Sequence, residues 1–270
     1  MSDTFLEKTS LGLDISNDSI NNLSINGVLI INDFLSKKAV EKINEEIKSL
    51  ASPSNSLSTL AAVIRKKSPK RESFDIPDAA NAIRSENLLE YAVDIRDIIN
   101  TSLDTSDKLD LRLTMLSSSF DSDPSHLKLH SDNLNFCKLG MFRAIIYLTN
   151  TNLNSGAFRY VKGTHRDNHN INHFIDDSDN QYIESKVEEC VANAGSLVVF
   201  NAYGVHGRNP CDKPRLSISF EFLPKEIAKR NDSVSILQGH LSKKVISNID
   251  LFSIPMIDKN NNPYLGDDLK

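Results

Sequence analysis

The chain has 270 residues, 31 Lys+Arg against 36 Asp+Glu, a formal net charge of −5 and 39% hydrophobic residues. That apolar share excludes disorder as the dominant state, and the mild acidity argues against nucleic-acid binding by bulk charge. No apolar run approaches the roughly 20 residues that span a bilayer. The opening MSDTFLEKTS lacks both regions of a secretion signal, so a cytoplasmic protein without a membrane partner is expected.

Residues 1–24 are rich in Ser, Asn and Asp and predict a loose arm with at most short structure. Val28-Leu29-Ile30-Ile31 reads as a strand. Ser36 is placed to cap a helix whose apolar positions are Val40, Ile43, Ile47 and Leu50. SPSNSLS at 52–58 breaks that pattern. A second helical stretch follows Pro77-Asp78, with Leu88, Leu89, Ala92, Ile95 and Ile99 on its apolar side.

The grammar changes near residue 109. Short alternating or apolar runs follow to about residue 223: LDLRLTML, HLKLH, RAIIYLT, AFRYV, SLVVF and RLSISFEF. Many short strands separated by turn residues predict a β-sandwich or barrel. The expected organisation is one domain spanning 1–270. A mainly helical part covers 1–108, a β core 109–223 and a C-terminal extension of mixed helix and loop 224–270. No internal repeat is present.

Cys137, Cys190 and Cys211 are odd in number, widely spaced and without a Cys-x-x-Cys, so they predict idle thiols and no thiolate zinc site. The seven histidines are more informative. His130-Ser131-Asp132 follows an alternating run. Residues two apart on a strand share a face, so an imidazole and a carboxylate there can converge on one metal ion. Two histidines and one carboxylate leave positions open on an Fe(II) centre. A second His-x-Asp, His165-Arg166-Asp167, stands in a turn after Gly163 and leads into Asn- and Asp-rich sequence, where side-chain direction is not fixed. His130 is therefore preferred, because rigid elements hold a metal constellation better than loops.

The third ligand candidate is His206, just after the strand Ser196–Phe200 in FNAYGVHGRNP. A turn follows, and then a return strand with Leu216, Ile218, Phe220 and Phe222 on one face and Arg215, Ser217 and Ser219 on the other. Arg215 with Ser217 makes a fork for a carboxylate plus a hydroxyl donor. A surface Arg on an edge strand is the plain alternative.

Taken in this order, the residues resemble the phytanoyl-CoA dioxygenase-like branch of the Fe(II)/2-oxoglutarate oxygenases, from GVLIINDFLSKKAVEKINEEI to RLSISFEF. LHSDN carries the His-x-Asp. RAIIYLTNTNLNSGAFRYVKGTHR looks like the core strands and the Gly-Ser-His turn, with Thr164 standing where the family has Ser. AGSLVVFNAYGVHG carries the distal His, and Arg215 follows nine residues later. The resemblance implies His130, Asp132 and His206 as iron ligands. It implies Arg215, helped by Ser217, as the anchor of the 2-oxoglutarate carboxylate. It also implies a double-stranded β-helix, a cupin-like jelly roll with flanking helices. Halogenating relatives lack the carboxylate, so Asp132 favours hydroxylation or a related oxidation.

Arg143, Ile145 and Tyr147 share one face of the strand Phe142–Thr149. If that face is inward, Tyr147 would hydrogen-bond the cosubstrate with Ile145 beside it, and Arg143 would meet an anionic group. The basic cluster Arg65, Lys66, Lys67, Lys70 and Arg71 is a solvated loop or a contact for an anionic substrate. The polar stretch Asp167–Glu188 is long for a barrel connection and is expected to act as a lid.

The implied reaction consumes O2 and 2-oxoglutarate, releases succinate and CO2, and hydroxylates an unactivated carbon of a small, amino-acid-derived or natural-product molecule. Ascorbate would accompany Fe(II) in assays. The rival readings are an acyl-CoA hydroxylase, a jelly roll that binds metal or ligand without turnover, and a zinc hydrolase on the same three side chains.

Overall fold

The computed structural model describes residues 17–50, 74–76, 83, 85–103, 109–121, 127–132, 140–166, 185–213, 215–228, 237–238, 242–251 and 256–257. Helix α1 (Asn17–Asn26) leads into strand β1 (Val28–Ile31), and helix α2 (Lys37–Leu50) follows. Ser36 caps α2 as its position predicts: the Ala39 N–H donates to Ser36 Oγ at 3.2 Å. After β2 (Phe74–Ile76) comes α3 (Leu88–Thr101), and then the β core. Its strands are β3 (Leu111–Asp121), β4 (Leu127–His130), β5 (Phe142–Tyr147), β6 (Phe158–Val161), β7 (Val187–Cys190), β8 (Leu197–Asn201), β9 (His206–Arg208) and β10 (Arg215–Pro224). Helix α4 (Lys225–Ala228), the parallel pair β11 (Leu237–Gln238) and β12 (Met256–Ile257), α5 (Lys243–Ser247) and two 3-10 turns (Thr164–Arg166 and Ile249–Leu251) complete the described elements.

The core strands form two antiparallel sheets, one of six strands in the order β1-β8-β5-β10-β3-β2 and one of four in the order β4-β9-β6-β7. Neighbours in space are distant in sequence, which is the winding of the double-stranded β-helix. Side-chain alternation then sorts residues into two layers. On β10, Ile218, Phe220 and Phe222 point outward into a core shared with Ile43 and Ile47 of α2 and Ile95, Ile98 and Ile99 of α3. Each such side chain, fully buried, contributes ~1.5–3 kcal/mol. On the other face of the six-stranded sheet, Val198, Phe200 and Tyr147 pack against Phe158 and Tyr160 of the four-stranded sheet. The helices therefore seal one side of the large sheet and leave its other side to the interior between the sheets.

Two local expectations need correction. The N-terminal stretch is not loose from residue 17 onward. Leu23 is 1% exposed, and α1 is tied down by the Gly163 N–H to the Asn26 carbonyl (2.9 Å) and the Arg166 guanidinium to the Ser24 carbonyl (2.6 Å). These tertiary contacts hold a helix that its polar composition does not advertise. The second helical stretch is α3, with Leu88, Leu89, Ala92, Ile95 and Ile99 buried as expected, while residues 77–82 lie outside the described residues. The polar stretch ending at Glu188 overlaps β7, because Val187 and Glu188 pair with Val161 and Tyr160. The basic cluster 65–71, residues 167–184 and Cys137 lie outside the described residues. Among the described residues no helix is long and apolar enough to cross a membrane.

Candidate metal centre between the two sheets

His130 and His206 face one another in register on β4 and β9. Their ring centroids are 4.6 Å apart. Asp132 lies two residues past His130, beyond the regular strand, so alternation alone does not aim it. Its N–H reaches the Ala202 carbonyl at 3.3 Å, and the Ser131 hydroxyl donates to the Tyr203 carbonyl at 2.6 Å. The loop is thus stitched to the segment leading into His206. Ligand atoms of His130, Asp132 and His206 all lie within 4.8 Å of one another. His130 Nε2 stands 3.7 Å from Asp132 Oδ1, and His206 Nε2 stands 3.9 Å from Oδ2.

Both imidazoles are oriented from behind. His130 Nδ1 lies 2.9 Å from the Lys128 carbonyl and His206 Nδ1 lies 2.8 Å from the Gly204 carbonyl. A carbonyl only accepts, so each Nδ1 carries the hydrogen and each Nε2 lone pair is presented to the cluster. Burial pushes the His206 imidazole down to about 4, with the neighbouring His130 acting in the same direction and Asp132 opposing it. A neutral imidazole is the metal-binding form. Asp132 Oδ2 is buried and accepts no hydrogen bond of good geometry among the described residues, its contact being the charge of the Arg143 guanidinium at 3.2 Å. Two imidazole nitrogens and a carboxylate, aimed at one point, fit a divalent transition metal.

The walls around this cluster are aromatic. Phe200 and Phe158 stand 5.1 and 5.6 Å from His206, centroid to centroid. Gly204 keeps the approach narrow, since a β-carbon there would overlap the Tyr160 hydroxyl, which donates to the Asn201 carbonyl.

Arg215 and Ser217 both open inward from β10 and are buried, at 7% and 1% exposure. Arg215 Nη1 donates to the Gly156 carbonyl at 2.6 Å, which holds the fork before any ligand arrives. The face of β5 that carries Arg143, Ile145 and Tyr147 is the inward one, packed in the layer between the sheets. Tyr147 is completely buried. Its hydroxyl donates to the Cys190 carbonyl (3.2 Å) and accepts the Phe158 N–H (3.1 Å), so its one proton is already engaged in joining β5 to the opposite sheet. Arg143 meets two carboxylates of the protein itself: Asp132 Oδ2 at 3.2 Å and Glu221 Oε2 at 3.1 Å. Glu221 escaped the sequence reading. Its signal was its place on the inward alternation of β10, six residues after Arg215.

The rival His-x-Asp is elsewhere. His165 sits in a 3-10 turn (Thr164–Arg166), and its Nε2 lies 3.2 Å from the Ser24 carbonyl of α1. Thr164, the departure from the Gly-Ser-His turn, is buried and useful where it stands: its hydroxyl donates to the Val161 carbonyl and accepts the Val205 N–H. Asp167 lies outside the described residues.

The sequence profile of the phytanoyl-CoA dioxygenase (PhyH) family matches residues 24–215. No match was found among curated proteins. Among solved structures, HygX from Streptomyces hygroscopicus with nickel, 2-oxoglutarate and hygromycin B is similar at 17% identity and a TM-score of 0.59, over 84% of this chain and 93% of that one. SnoN, a non-heme α-ketoglutarate-dependent epimerase of nogalamycin biosynthesis, is similar at 15% identity and a TM-score of 0.57, over 77% and 82%. SnoK, an α-ketoglutarate-dependent carbocyclase of the same biosynthesis, is similar at 13% identity and a TM-score of 0.55, over 86% and 95%. At these identities the likeness is one of fold, the jelly roll described above.

Proposed function

We propose, from the premise that this chain belongs to the phytanoyl-CoA dioxygenase family, that it is an Fe(II)- and 2-oxoglutarate-dependent oxygenase hydroxylating an unactivated carbon of a small molecule. One observation carries the reading: His130, Asp132 and His206 converge within 4.8 Å between the sheets, and buried Arg215 opens onto the same interior. His130 Nε2, Asp132 and His206 Nε2 are the iron ligands. Bound there, the iron would couple oxidative decarboxylation of 2-oxoglutarate to dioxygen activation.

The chain's own residues do the rest. Arg215 receives the far carboxylate of 2-oxoglutarate on a fork already braced by the Gly156 carbonyl. Ser217, one residue-pair along the same face, adds a hydroxyl donor. Phe158 and Phe200 line His206 and exclude water from the side of the ligands that must stay dry. Tyr147 and Ile145 form the wall of the cosubstrate pocket, with Tyr147 acting as a strut between the sheets. The natural-product chemistry named for HygX, SnoN and SnoK supports a small molecule as substrate. A carboxylate clamp has no role in a zinc hydrolase on the same side chains, and a passive binder needs no such pairing of clamp and ligand set.

Calorimetric titration of 2-oxoglutarate into anaerobic Fe(II)-loaded protein, followed by succinate measurement on admitting air with ascorbate, tests this. Stoichiometric 2-oxoglutarate binding that disappears in His206→Ala, with succinate formed only when iron is present, is the expected result. An Fe(II)-loaded protein that ignores 2-oxoglutarate would sink the proposal.

A further inference from the structure

We infer that Arg143 and Glu221 form a charge-neutral clamp that positions the Asp132 carboxylate for metal binding. The inference rests on the metal-centre reading and adds two residues to it. Arg143 belongs to β5 and Glu221 to β10, and the two stand directly opposite one another in the ladder. Both are on the central part of the six-stranded sheet, paired on each side by other strands. Asp132, by contrast, is on the non-strand segment that follows β4 of the other sheet, with a backbone bond of 3.3 Å. Arg143 spans the interior: Nη1 lies 3.2 Å from Asp132 Oδ2, and Nη2 lies 3.1 Å from Glu221 Oε2. A rigid strand therefore holds the carboxylate of the one proposed ligand that lies beyond a regular strand.

The three groups are partly sheltered, with side-chain exposures of 33% for Arg143, 17% for Asp132 and 13% for Glu221, so the contacts are weakly screened. A lone guanidinium beside a metal ligand carries a cost, because its charge repels the incoming cation. Glu221 answers that cost. Its carboxylate offsets the Arg143 charge at contact distance, so the pair restrains Asp132 while adding no net charge near the metal. This also revises the reading of Arg143 as a receptor for an anionic substrate group: its two guanidinium nitrogens already face two carboxylates. Groups that orient ligating carboxylates are worth about 10–100-fold in metal affinity.

The test is Ni(II) titration by calorimetry into chelator-stripped full-length protein without cosubstrate, with His206→Ala marking heat that does not come from the centre. The double variant Arg143→Ala/Glu221→Gln removes the clamp without changing net charge and should bind Ni(II) about 10–100-fold more weakly than wild type. Glu221→Gln alone should bind several-fold more weakly, since it leaves the guanidinium uncompensated. Arg143→Lys keeps the charge and should recover part of the loss, which a merely structural defect would not allow. A double variant within twofold of wild type, or no recovery in Arg143→Lys, overturns the inference. If the double variant fails to fold, Glu221→Gln decides, and unchanged affinity there overturns it. Wild-type protein showing no heat sensitive to His206→Ala would instead overturn the metal-centre reading and leave the clamp without a role.

Discussion

Gly156→Ala is the most informative single change, because one atom tests the packing behind the proposed carboxylate anchor. Gly156 has φ of +73° and lies in a turn whose N–H donates to the Pro210 carbonyl at 2.8 Å. A left-handed conformation costs an L-residue roughly 1–2 kcal/mol. A β-carbon there would also overlap Cys211 Sγ, and Cys211 is only 2% exposed, so the sulfur has little room to retreat. Overpacking of that kind costs about 1–3 kcal/mol. The sum is roughly 2–5 kcal/mol, which for a chain of this size lowers Tm by roughly 5–15 °C. The same β-carbon would stand 3.5 Å from Arg215 Cδ, an ordinary contact, but a turn that shifts to relieve the overlap with Cys211 carries the Gly156 carbonyl that braces Arg215. Weaker 2-oxoglutarate binding is therefore expected beside the stability loss. Scanning calorimetry of Gly156→Ala, Cys211→Ala and the double variant separates the two costs. Removing the sulfur should recover the overpacking part, a coupling of about 1–3 kcal/mol, and leave the backbone part. Gly156→Ala melting with wild type, or strictly additive single variants, would refute the reasoning.

Arg215→Ala should weaken 2-oxoglutarate binding by about 2–5 kcal/mol, and Arg215→Lys should restore little of it, because an ammonium lacks the planar fork; calorimetry on the metal-loaded protein reads both, and unchanged affinity would move the anchor elsewhere. His130→Ala and His206→Ala should each abolish Fe(II)-dependent succinate release, and full activity in either would remove that residue from the ligand set. His165→Ala should keep Ni(II) affinity, since its ring contacts the Ser24 carbonyl of α1, while losing about 0.5–1.5 kcal/mol of stability in urea; loss of metal binding there would favour the second His-x-Asp. Lys244→Met should destabilise by about 3 kcal/mol in the same assay, because Asp94, 1% exposed on α3, would keep a charge without its ammonium partner at 2.6 Å; a change below about 1 kcal/mol would show that water replaces the lysine.

Much of the centre was legible in the amino-acid order alone, and the reasons are local. Alternation in LKLH and SISFEF identifies strands because a period of two is a property of the extended backbone, and AIIY is a short apolar run. It also places Arg215, Ser217 and Ser219 on one face of β10 and the large apolar residues on the other. The cap at Ser36 and the apolar stripe of α2 are likewise short-range matters, set within a few residues. What lay beyond the sequence depends on which strands meet. His130 faces His206 only because β4 pairs with β9, 76 positions apart by their numbering. The backbone at Asp132 is fixed by Ala202 and Tyr203, not by strand alternation, and the Tyr147 proton goes to the Cys190 carbonyl of β7 in the opposite sheet. Helix α1 is polar by sequence and is held by Arg166 and Gly163 from the far side of the chain. Arg143 shows the division most clearly. The sequence could place its guanidinium on one face of β5 with Ile145 and Tyr147, but only the pairing of β5 with β10 and the closure of one sheet over the other make that face the inward one and bring Glu221 and Asp132 to its two nitrogens. Charge partners at such separations are chosen by topology, and nothing in a residue's sequence neighbours encodes them.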